Sequence, residues 1–280
     1  MNKLFVSDLD GTLLDNQAEL SDYSRKKLNN LIDKGLQFTA ASARSVVSMQ
    51  RILKGLNLRL PVIEFNGAFI SDLKTGRHIL INEINTEIKY DIFSDIKKHT
   101  QFPFISTFNG KRDLLYYVNM KNKGSQWYVN DRTKSRDKRL TQVDTLIDVV
   151  DENVVCFTII DKKEILEELY HILDEKYGKM IELHLMENDY SPGWYWLTIH
   201  DHKATKDQAI VELVSITGHK LDELVVFGDN LNDLKMFRKA ETAVAVGNAR
   251  EELIEFADQV IGLNTDDSVV RYINKEFMKC

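Results

Sequence analysis

Short apolar runs alternate with segments of helical spacing along the first seventy residues. Residues 3–7 form an apolar run that predicts a strand ending in an acidic loop. In residues 24–34, leucine and isoleucine recur every three to four positions, which predicts a helix capped by Ser21 and ended by Gly35. The alternation continues with a strand, a helix and a strand, at residues 36–41, 45–56 and 61–65. Strand–helix–strand alternation predicts a doubly wound parallel sheet.

The middle of the chain has a different pattern. Two predicted helices, 86–100 and 162–177, are surrounded by short strand-like runs, at residues 114–118, 154–160, 181–186 and 194–199. Strands and helices that do not alternate strictly predict an α+β module with an antiparallel sheet. Strand–helix alternation returns after Lys206. We therefore predict one α/β domain, residues 1–83 and 200–280, that is split by an inserted α+β domain, residues 84–199.

The composition excludes several classes of protein. Of the 280 residues, 43% are hydrophobic and 29% charged, which is typical of a globular chain. The net charge of −6 gives no general attraction to nucleic acid or to an anionic membrane. No apolar stretch approaches the ~20 residues that span a bilayer, and the start of the chain becomes acidic at Asp8, too early for a signal peptide. We expect a cytoplasmic protein with no nucleic-acid or membrane partner, of unknown oligomeric state.

An acidic loop follows the first predicted strand directly. Its two carboxylates, Asp8 and Asp10, are two positions apart on an extended segment and therefore point in the same direction. Gly11 lets the chain turn away with the carbonyl of Asp10 facing a ligand. Oxygen ligands of this kind suit Mg²⁺, which keeps its other positions for water and substrate oxygens. Taken alone, the loop would also fit an acidic turn that caps a helix.

Further polar residues follow strands or begin helices elsewhere in the chain. Ser42 comes after the second predicted strand, and Lys206 begins a late helix. Asp229 and Asp233 follow the predicted strand at residues 224–227. Taken alone, Ser42 fits a helix N-cap and Lys206 a solvated surface lysine. Open α/β sheets bind ligands at the edge where the carboxyl ends of their strands meet, so we predict that these side chains converge in one site.

These motifs resemble the haloacid dehalogenase (HAD) superfamily. Its four signature motifs match Asp8-x-Asp10-Gly11-Thr12, Ser42, Lys206 and Gly228-Asp229-x-x-Asn232-Asp233. The insertion after the second motif, with Asn66-Gly67-Ala68 and Val246-Gly247-Asn248-Ala249, is similar to the Cof-type branch with a large α/β cap. The resemblance implies a Rossmann-like core and a cap that selects the substrate. It also implies a phosphatase that acts on small phosphate monoesters through an aspartyl-phosphate, with sugar phosphates or related metabolites as the expected substrates.

The resemblance implies a role for each motif residue. Asp8 is the expected nucleophile and Asp10 the expected general acid/base. The expected Mg²⁺ ligands are the Asp8 carboxylate, the Asp10 backbone carbonyl and the Asp229 carboxylate. Asp233 is expected to support these ligands without binding the ion itself. Lys206 would offset negative charge between the nucleophile and the phosphoryl group. The expected phosphate-binding residues are Leu9, Ser42, Ala43, Lys206 and Asn232.

Some positions depart from the family pattern. The second motif reads Ser42-Ala43-Arg44, where Thr-Gly-Arg is usual, and this change keeps the hydroxyl group. Asp207 follows the lysine motif where glycine is common. Glu64 is an unusual charge at the end of an apolar strand, and we predict a partly exposed carboxylate there rather than a specificity element. The basic run at residues 132–139 has no interleaved aromatic side chains and predicts a solvated loop.

Two alternative functions stay open. A phosphohexomutase of the same superfamily would retain the phosphoryl group and return it to a sugar. A non-catalytic regulator would bind a phosphorylated metabolite with the same fold and without turnover. The presence of all the motif carboxylates together with Lys206 argues against the second alternative.

Overall fold

The computed structural model of the chain describes residues 3–100, 103–188 and 191–279. The strands are, in chain order, β1 (Leu4–Ser7), β2 (Gln37–Ala40), β3 (Val62–Glu64), β4 (Phe69–Ser71), β5 (His78–Ile81), β6 (Phe104–Phe108), β7 (Asp113–Tyr117), β8 (Leu140–Gln142), β9 (Asn153–Asp161), β10 (Ile181–Glu187), β11 (Tyr195–Asp201), β12 (Leu224–Gly228), β13 (Thr242–Ala245) and β14 (Gln259–Val260). The α-helices are α1 (Asp22–Asp33), α2 (Val46–Ile52), α3 (Lys89–His99), α4 (Lys123–Lys134), α5 (Lys163–Tyr177), α6 (Lys206–Thr217), α7 (Leu234–Phe237), α8 (Glu251–Ile254) and α9 (Ser268–Phe277). Within these described ranges, none of the helices combines the length and the apolar character needed to cross a membrane.

The backbone divides into two compact units. The first consists of Met1–Ile81 and Thr205–Cys280, and the second of Asn82–Ala204. β11 extends to Asp201, so residue 200, where the sequence places the second domain boundary, is still paired within the sheet of the second unit. Among the described residues, the first unit contains two sheets and the second unit one, and each unit has its own hydrophobic clusters.

The first unit is built on a five-stranded, all-parallel sheet with the order β14-β13-β12-β1-β2. β1 is paired on both sides, with Val6 opposite Val226 of β12 and opposite Thr39 of β2. A further parallel bridge, between Ala41 and Ile63, connects β2 to the antiparallel sheet β3-β4-β5. The loops after β1, β2 and β12 therefore leave the sheet at the same edge.

Apolar side chains cover both faces of the parallel sheet. Along β1, Phe5 belongs to one hydrophobic cluster, whereas Leu4 and Val6 belong to another. Successive side chains of a strand point to opposite faces. The first cluster includes residues of α1, α2 and α9, and the second includes residues of α6, α7 and α8. Helices on both faces of a parallel sheet make the doubly wound arrangement, so the predicted α/β fold class is confirmed.

Local sequence signals account for the ends of the helices. Ser21 caps α1 as predicted, because its side chain accepts a hydrogen bond (2.9 Å) from the backbone amide three residues later. α6 ends at Gly218, whose φ of 72° is the left-handed C-cap conformation. α2 ends at Ile52, earlier than predicted, and the chain then turns through Gly55, which has a φ of 84°.

The second unit is an α+β module with a six-stranded sheet. Its strand order is β10-β11-β9-β6-β7-β8, in which β7 and β8 run parallel and the other neighbours antiparallel. α3 and α5 share a hydrophobic cluster that contains Ile92, Leu169 and Ile105. α4 belongs to a different cluster, which contains Tyr128 and Phe104. Because Phe104 and Ile105 are adjacent on β6, α4 packs on the face opposite α3 and α5.

The sequence pattern did not predict β6, β8 and α4. α4 buries few of its residues, so its apolar periodicity is weak. The prediction of a solvated loop over residues 132–139 is wrong, because α4 continues to Lys134 and Arg139 is buried. The guanidinium group of Arg139 donates to both carboxylate oxygens of Asp137, at 3.0 and 2.7 Å. This basic run is therefore partly a structural element of the second unit.

Candidate active site

The acidic loop begins where β1 ends in the middle of the parallel sheet. Asp8 is 5% exposed, and its amide donates a hydrogen bond to the carbonyl of Phe227 in β12 (2.9 Å). Gly11 has a φ of 73°, and a Cβ atom at this position would lie 2.4 Å from Oδ2 of Asp229. The glycine therefore permits the turn and also allows Asp229 to approach the loop closely.

Lys206, the first residue of α6, is a buried ion-pairing residue with 1% exposure. Its Nζ lies 2.5 Å from Oδ1 of Asp8 and 2.6 Å from Oδ1 of Asp233. Asp233 is fully buried, and its Oδ2 accepts hydrogen bonds from the amides of Asp229 (3.1 Å) and Asn230 (3.2 Å). Lys206 is thus not a solvated surface residue, and it ties the loop after β1 to the loop after β12.

Three carboxylates form a cluster that suits a metal ion. One oxygen from each of Asp8, Asp229 and Asp233 lies within 4.8 Å of the others. Both oxygens of Asp233 are hydrogen-bonded to protein donors. Among the described residues, Asp8 engages one side-chain oxygen, with Lys206, and Asp229 engages one, with the hydroxyl of Thr12 (2.8 Å). The second oxygens of Asp8 and Asp229 therefore fit a hard cation.

The negative charge of this cluster shifts the protonation of its members. Burial and repulsion from Asp233 raise the pKa of Asp229 to about 7, against the hydrogen bond from Thr12. Burial also raises the pKa of Asp8 well above its usual range, although Lys206 opposes this shift. Burial alone would lower the pKa of Lys206, but Asp233 and Asp8 raise it above its usual value, so the ammonium group stays charged. A bound cation would relieve the repulsion between the carboxylates.

Asp10 is oriented by Arg44, a residue that was not among the predicted site residues. Nε and Nη2 of Arg44 donate to Oδ2 and Oδ1 of Asp10, both at 2.6 Å. The side chain of Asp10 is nevertheless 42% exposed. A two-pronged contact of this kind fixes the plane of the carboxylate, while its exposure leaves room for a reacting group. The sequence signal for Arg44 was its place in the second motif, beside Ser42.

The second-motif loop, residues 41–45 between β2 and α2, is held by hydrogen bonds to β3 and to the residues after it. Ser42 is 1% exposed, and its Oγ accepts from the amide of Arg44 at 3.1 Å. The amide of Ser42 donates to the carbonyl of Ile63, and the amide of Asn66 donates to the carbonyl of Ser42, each at 3.0 Å. The N-cap of α2 is Ser45, so the simple helix-cap explanation of Ser42 does not hold.

Asn66, which was quoted as part of a family motif but not predicted as a site residue, contacts the predicted site residue Asn232. Nδ2 of Asn232 donates to Oδ1 of Asn66 at 3.2 Å. Phe65, Asn66 and Gly67 have positive φ values of 48°, 54° and 114°. A Cβ atom on Gly67 would lie 2.5 Å from the carbonyl oxygen of Thr205. Strained backbone of this kind recurs at functional sites, and here it places an amide side chain against the fourth motif.

Three other positions complete the comparison with the sequence. The side chain of Leu9 is buried in the hydrophobic core and Ala43 is exposed, so any phosphate contact by these residues must use their backbone amides. That role stays a prediction. The prediction of a partly exposed Glu64 is wrong, because this carboxylate is fully buried. It is buried among hydrogen-bond donors, including the hydroxyl of Ser71 at 2.5 Å.

Residues 5–273 match the family of haloacid dehalogenase-like hydrolases. The chain belongs to this family. It is similar to the pyridoxal phosphate phosphatase YbhA of Escherichia coli, with 25% identity over 278 residues that cover 97% of each chain. It is also similar to the 5-amino-6-(5-phospho-D-ribitylamino)uracil phosphatase YwtE of Bacillus subtilis, with 24% identity over 292 residues that cover 98% of this chain and 97% of the relative.

Solved structures resemble this chain over nearly its full length. A crystal structure of a Thermotoga maritima protein has a TM-score of 0.78 and 29% identity, and the match covers 98% of this chain and 97% of that one. A haloacid dehalogenase-like hydrolase of Bacillus subtilis matches with the same TM-score at 23% identity and supports the fold. The predicted superfamily, the fold and the enzyme class, a phosphatase-type hydrolase, are confirmed.

We predict that Gly228→Ala disrupts the site through Asp233. The added Cβ would lie 2.6 Å from Oδ2 and 2.7 Å from Cβ of Asp233, so the carboxylate that holds Lys206 must move. We expect the free energy of unfolding to fall by about 1–3 kcal/mol. We also expect kcat/KM for a phosphate ester to fall at least about tenfold. Calorimetry and steady-state kinetics measure both. The control is Gly262→Ala, whose added Cβ meets only ordinary contacts of 3.5 Å or more; equal behaviour of the two variants would contradict the prediction.

The metal-free protein should lose stability as the pH rises from about 4 to about 7. A carboxyl group whose pKa is raised to about 7 on folding binds its proton more tightly in the folded state. It therefore stabilises the fold below the unfolded pKa of about 4, and this contribution is lost as the pH rises through 7. Thermal unfolding in EDTA should show a smaller decline for Asp229→Asn than for the wild type. Equal slopes would show that Asp229 does not titrate in this range.

Proposed function

We propose that this chain is a Mg²⁺-dependent phosphatase that hydrolyses small phosphate monoesters through an aspartyl-phosphate on Asp8. The observation that carries the proposal is the contact of Asp8 with the buried Lys206, beside the carboxylate of Asp229. A charged ammonium next to a carboxylate at the end of a parallel strand suits a nucleophile that attacks an anionic group. The exposed Asp10, held by Arg44, supplies the acid that such a reaction needs.

The metal in this proposal is held by oxygen atoms of two loops. Asp8 and Asp229 would contribute carboxylate oxygens, and Asp10 its backbone carbonyl. When bound, Mg²⁺ would neutralise charge on the phosphoryl oxygens and help to align the reacting groups. Asp233 would not bind the ion directly, because its two oxygens are occupied by Lys206 and by two backbone amides. Its role is to keep the lysine and the loop after β12 in place.

The first half of the proposed reaction transfers the phosphoryl group to the protein. A carboxylate oxygen of Asp8 attacks phosphorus, and the bond between phosphorus and the ester oxygen breaks. Asp10 donates a proton to the departing alkoxide, which leaves as an alcohol. Lys206 offsets the charge that builds up between Asp8 and the phosphoryl oxygens. The proposed donors to those oxygens are the backbone amides of Leu9 and Ala43, the hydroxyl of Ser42 and the amide of Asn232.

The second half releases phosphate and restores the protein. Asp10, now ionised, takes a proton from a water molecule whose oxygen attacks phosphorus. The bond between phosphorus and Asp8 breaks, inorganic phosphate forms, and the Asp8 carboxylate is regenerated. Arg44 keeps the Asp10 carboxylate in one orientation through both steps. A phosphohexomutase would differ at this point by returning the phosphoryl group to a sugar, so phosphate release without a sugar bisphosphate separates the two.

The identity of the phosphate ester is proposed to depend on the inserted unit, residues 82–204. This assignment follows the resemblance to families with a large cap. The two relatives named above are phosphatases of pyridoxal phosphate and of 5-amino-6-(5-phospho-D-ribitylamino)uracil. A phosphate-release screen with Mg²⁺ should therefore include these two esters beside sugar phosphates. A wild-type protein that released phosphate from none of them, nor from an aryl phosphate, would contradict the proposed function.

Asp8→Asn should abolish turnover while the protein stays folded. The amide is nearly isosteric with the carboxylate but cannot attack phosphorus, so we expect kcat to fall at least about ten-thousandfold. Phosphate release measures the loss, and circular dichroism with thermal unfolding checks the fold. Asp222→Asn makes the same chemical change at an exposed position and should keep full activity. Activity of Asp8→Asn within about tenfold of wild type would exclude Asp8 as the nucleophile.

Removal of divalent cations should abolish activity, and Mg²⁺ should restore it better than Ca²⁺. Ca²⁺ takes more ligands at longer distances than Mg²⁺ and would spoil the alignment of the reacting groups. The measurement is phosphate release after dialysis against EDTA, with each cation added back over a concentration series. Asp229→Asn should need at least about tenfold more Mg²⁺ for half-maximal activity, since it loses a charged ligand. Full activity in EDTA would rule out the metal role of Asp8 and Asp229.

A further inference from the structure

Glu64, the last residue of β3, is a buried carboxylate outside the Asp8 cluster. Its Oε2 accepts a hydrogen bond from the amide of Val46, the first residue of α2. Its Oε1 accepts one from the hydroxyl of Ser71 at 2.5 Å, and Nδ1 of His78 lies 3.4 Å away. A buried carboxylate is costly unless donors surround it. This one joins the start of α2 to the hairpin of β4 and β5.

The hairpin supplies a directed chain of hydrogen bonds. Ser71 and His78 are paired across β4 and β5, and Nδ1 of His78 lies 2.7 Å from Oγ of Ser71. The His78 ring stacks on Phe69, with ring centroids 4.0 Å apart. The Ser71 hydroxyl has one proton, which it donates to Glu64, so Nδ1 of His78 is the donor to Ser71. This chain of hydrogen bonds occupies Oε1 of Glu64, so Oε2 is the oxygen that accepts from the amide of Val46.

Backbone hydrogen bonds flank Glu64 and reach the second-motif loop. The amide of Ser42 donates to the carbonyl of the residue before Glu64, at 3.0 Å. The residue after Glu64 donates its amide to the carbonyl of Arg44, at 3.1 Å. The bond from Val46 to Glu64 lies two residues further along the loop and fixes the point where α2 begins. The loop that carries Ser42 and Arg44 is thus held along its length by residues 63–65, which are the end of β3 and the residue after it.

We propose that Glu64 is a positioning residue that fixes the second-motif loop in the geometry that binds phosphate. The inference rests on the proposed function, because it takes the Ser42 hydroxyl and the Ala43 amide as phosphate donors. Glu64 acts through its acceptor oxygens: one holds the amide of Val46, and the other is anchored by Ser71. Without the hydrogen bond from Val46 to Glu64, the hydroxyl of Ser42 and the amide of Ala43 no longer point to the same phosphate group, and phosphate affinity falls.

The first test compares Glu64→Met with Glu64→Gln. Methionine fills the space but accepts no comparable hydrogen bond. Glutamine keeps one oxygen for Val46, and its amide group can donate to Ser71. The Ser71 proton then turns towards Nδ1 of His78, which becomes the acceptor when the neutral ring takes its other tautomer. We expect Glu64→Met to raise KM and the inhibition constant of inorganic phosphate about tenfold, the effect of losing one hydrogen bond to a charged group. Glu64→Gln should stay within about threefold of wild type.

The second test removes the same hydrogen bond from the other side. Val46 is the first residue of α2, a position that tolerates proline, and Ser45 before it already has extended backbone (φ −78°, ψ 157°). Val46→Pro lacks the amide proton that Glu64 accepts, whereas the matched Val46→Ala keeps it. We expect weaker phosphate binding, by about threefold to tenfold, in the proline variant alone. This pair decides the question if Glu64→Met does not fold.

The half-saturating concentration of Mg²⁺ separates positioning from general damage. Within the described ranges, Glu64 is hydrogen-bonded or ion-paired to none of the residues proposed to hold Mg²⁺. The hydrogen bonds from Arg44 to Asp10 reach the side chain of Asp10, not the backbone carbonyl proposed for the metal. The half-saturating Mg²⁺ concentration should therefore stay at its wild-type value in every variant. The control for a destabilised fold is Asp95→Asn, which removes a buried carboxylate bonded to Lys98, Lys176 and Tyr177 in the second unit. It should lower the melting temperature and leave phosphate affinity unchanged.

The outcomes distinguish this inference from the proposed function. Wild-type phosphate affinity in Glu64→Met or Val46→Pro would overturn the role of Glu64 while leaving the phosphatase intact. A parallel loss of Mg²⁺ and phosphate affinity would also overturn it, because it would indicate a general structural effect. Absence of turnover in the wild-type protein with Mg²⁺ would instead reject the proposed function. Isothermal titration with inorganic phosphate provides a readout that does not depend on turnover.

Discussion

The buried ion pairs of Lys206 are the interaction on which the rest of the site depends. The ammonium group lies between Asp8 and Asp233, at 2.5 and 2.6 Å, and all three residues are almost fully buried. Loss of the lysine charge would leave two carboxylates buried without a cation, which proteins tolerate poorly. The three residues come from the loop after β1, the start of α6 and the loop after β12. The parallel pairing of β1 with β12 is what brings these distant segments to one edge of the sheet.

The charge balance of the site also explains why a divalent cation fits it. Three carboxylates, from Asp8, Asp229 and Asp233, face one lysine, an excess of two negative charges. Two of these carboxyl groups have raised pKa values because burial and mutual repulsion penalise the ionised form. A cation with two positive charges would balance the excess and keep Asp8, the proposed nucleophile, ionised at neutral pH. The repulsion between these carboxylates destabilises the metal-free cluster, and for the same reason it favours binding of a cation.

The sequence predicted the parallel half of the fold better than the rest. Strands buried on both faces read as continuous apolar runs, so the strands before Asp8, Ser42 and Asp229 were all placed correctly. α4 escaped prediction because few of its residues are buried and no apolar stripe results. Helix ends were less accurate, as in α2, where a glycine turn shortens the helix.

The site was predicted in its motifs but not in its supporting contacts. Arg44 lies 34 positions from its partner Asp10, and Asn66 lies 166 positions from Asn232. Local sequence patterns therefore predict neither contact. Glu64 was placed at a partly exposed strand end because the hairpin that covers it was not predicted. Its donor Ser71 carries no chemical signal of its own. Motifs report the groups that react, whereas the residues that orient them are found only when the chain is folded.

The parallel order of the central sheet also sets the time at which the site can form during synthesis. β12 pairs directly with β1, yet Lys206 lies 198 positions after Asp8, and its second partner, Asp233, follows another 27 positions later. At a typical 5–20 residues per second, this length takes roughly ten to forty seconds to translate. The whole second unit emerges in that interval, while one edge of β1 has no strand to pair with. An unpaired strand edge is a template for association with other chains, so the order of the strands in this sheet leaves β1 open to such association until β12 has been synthesised.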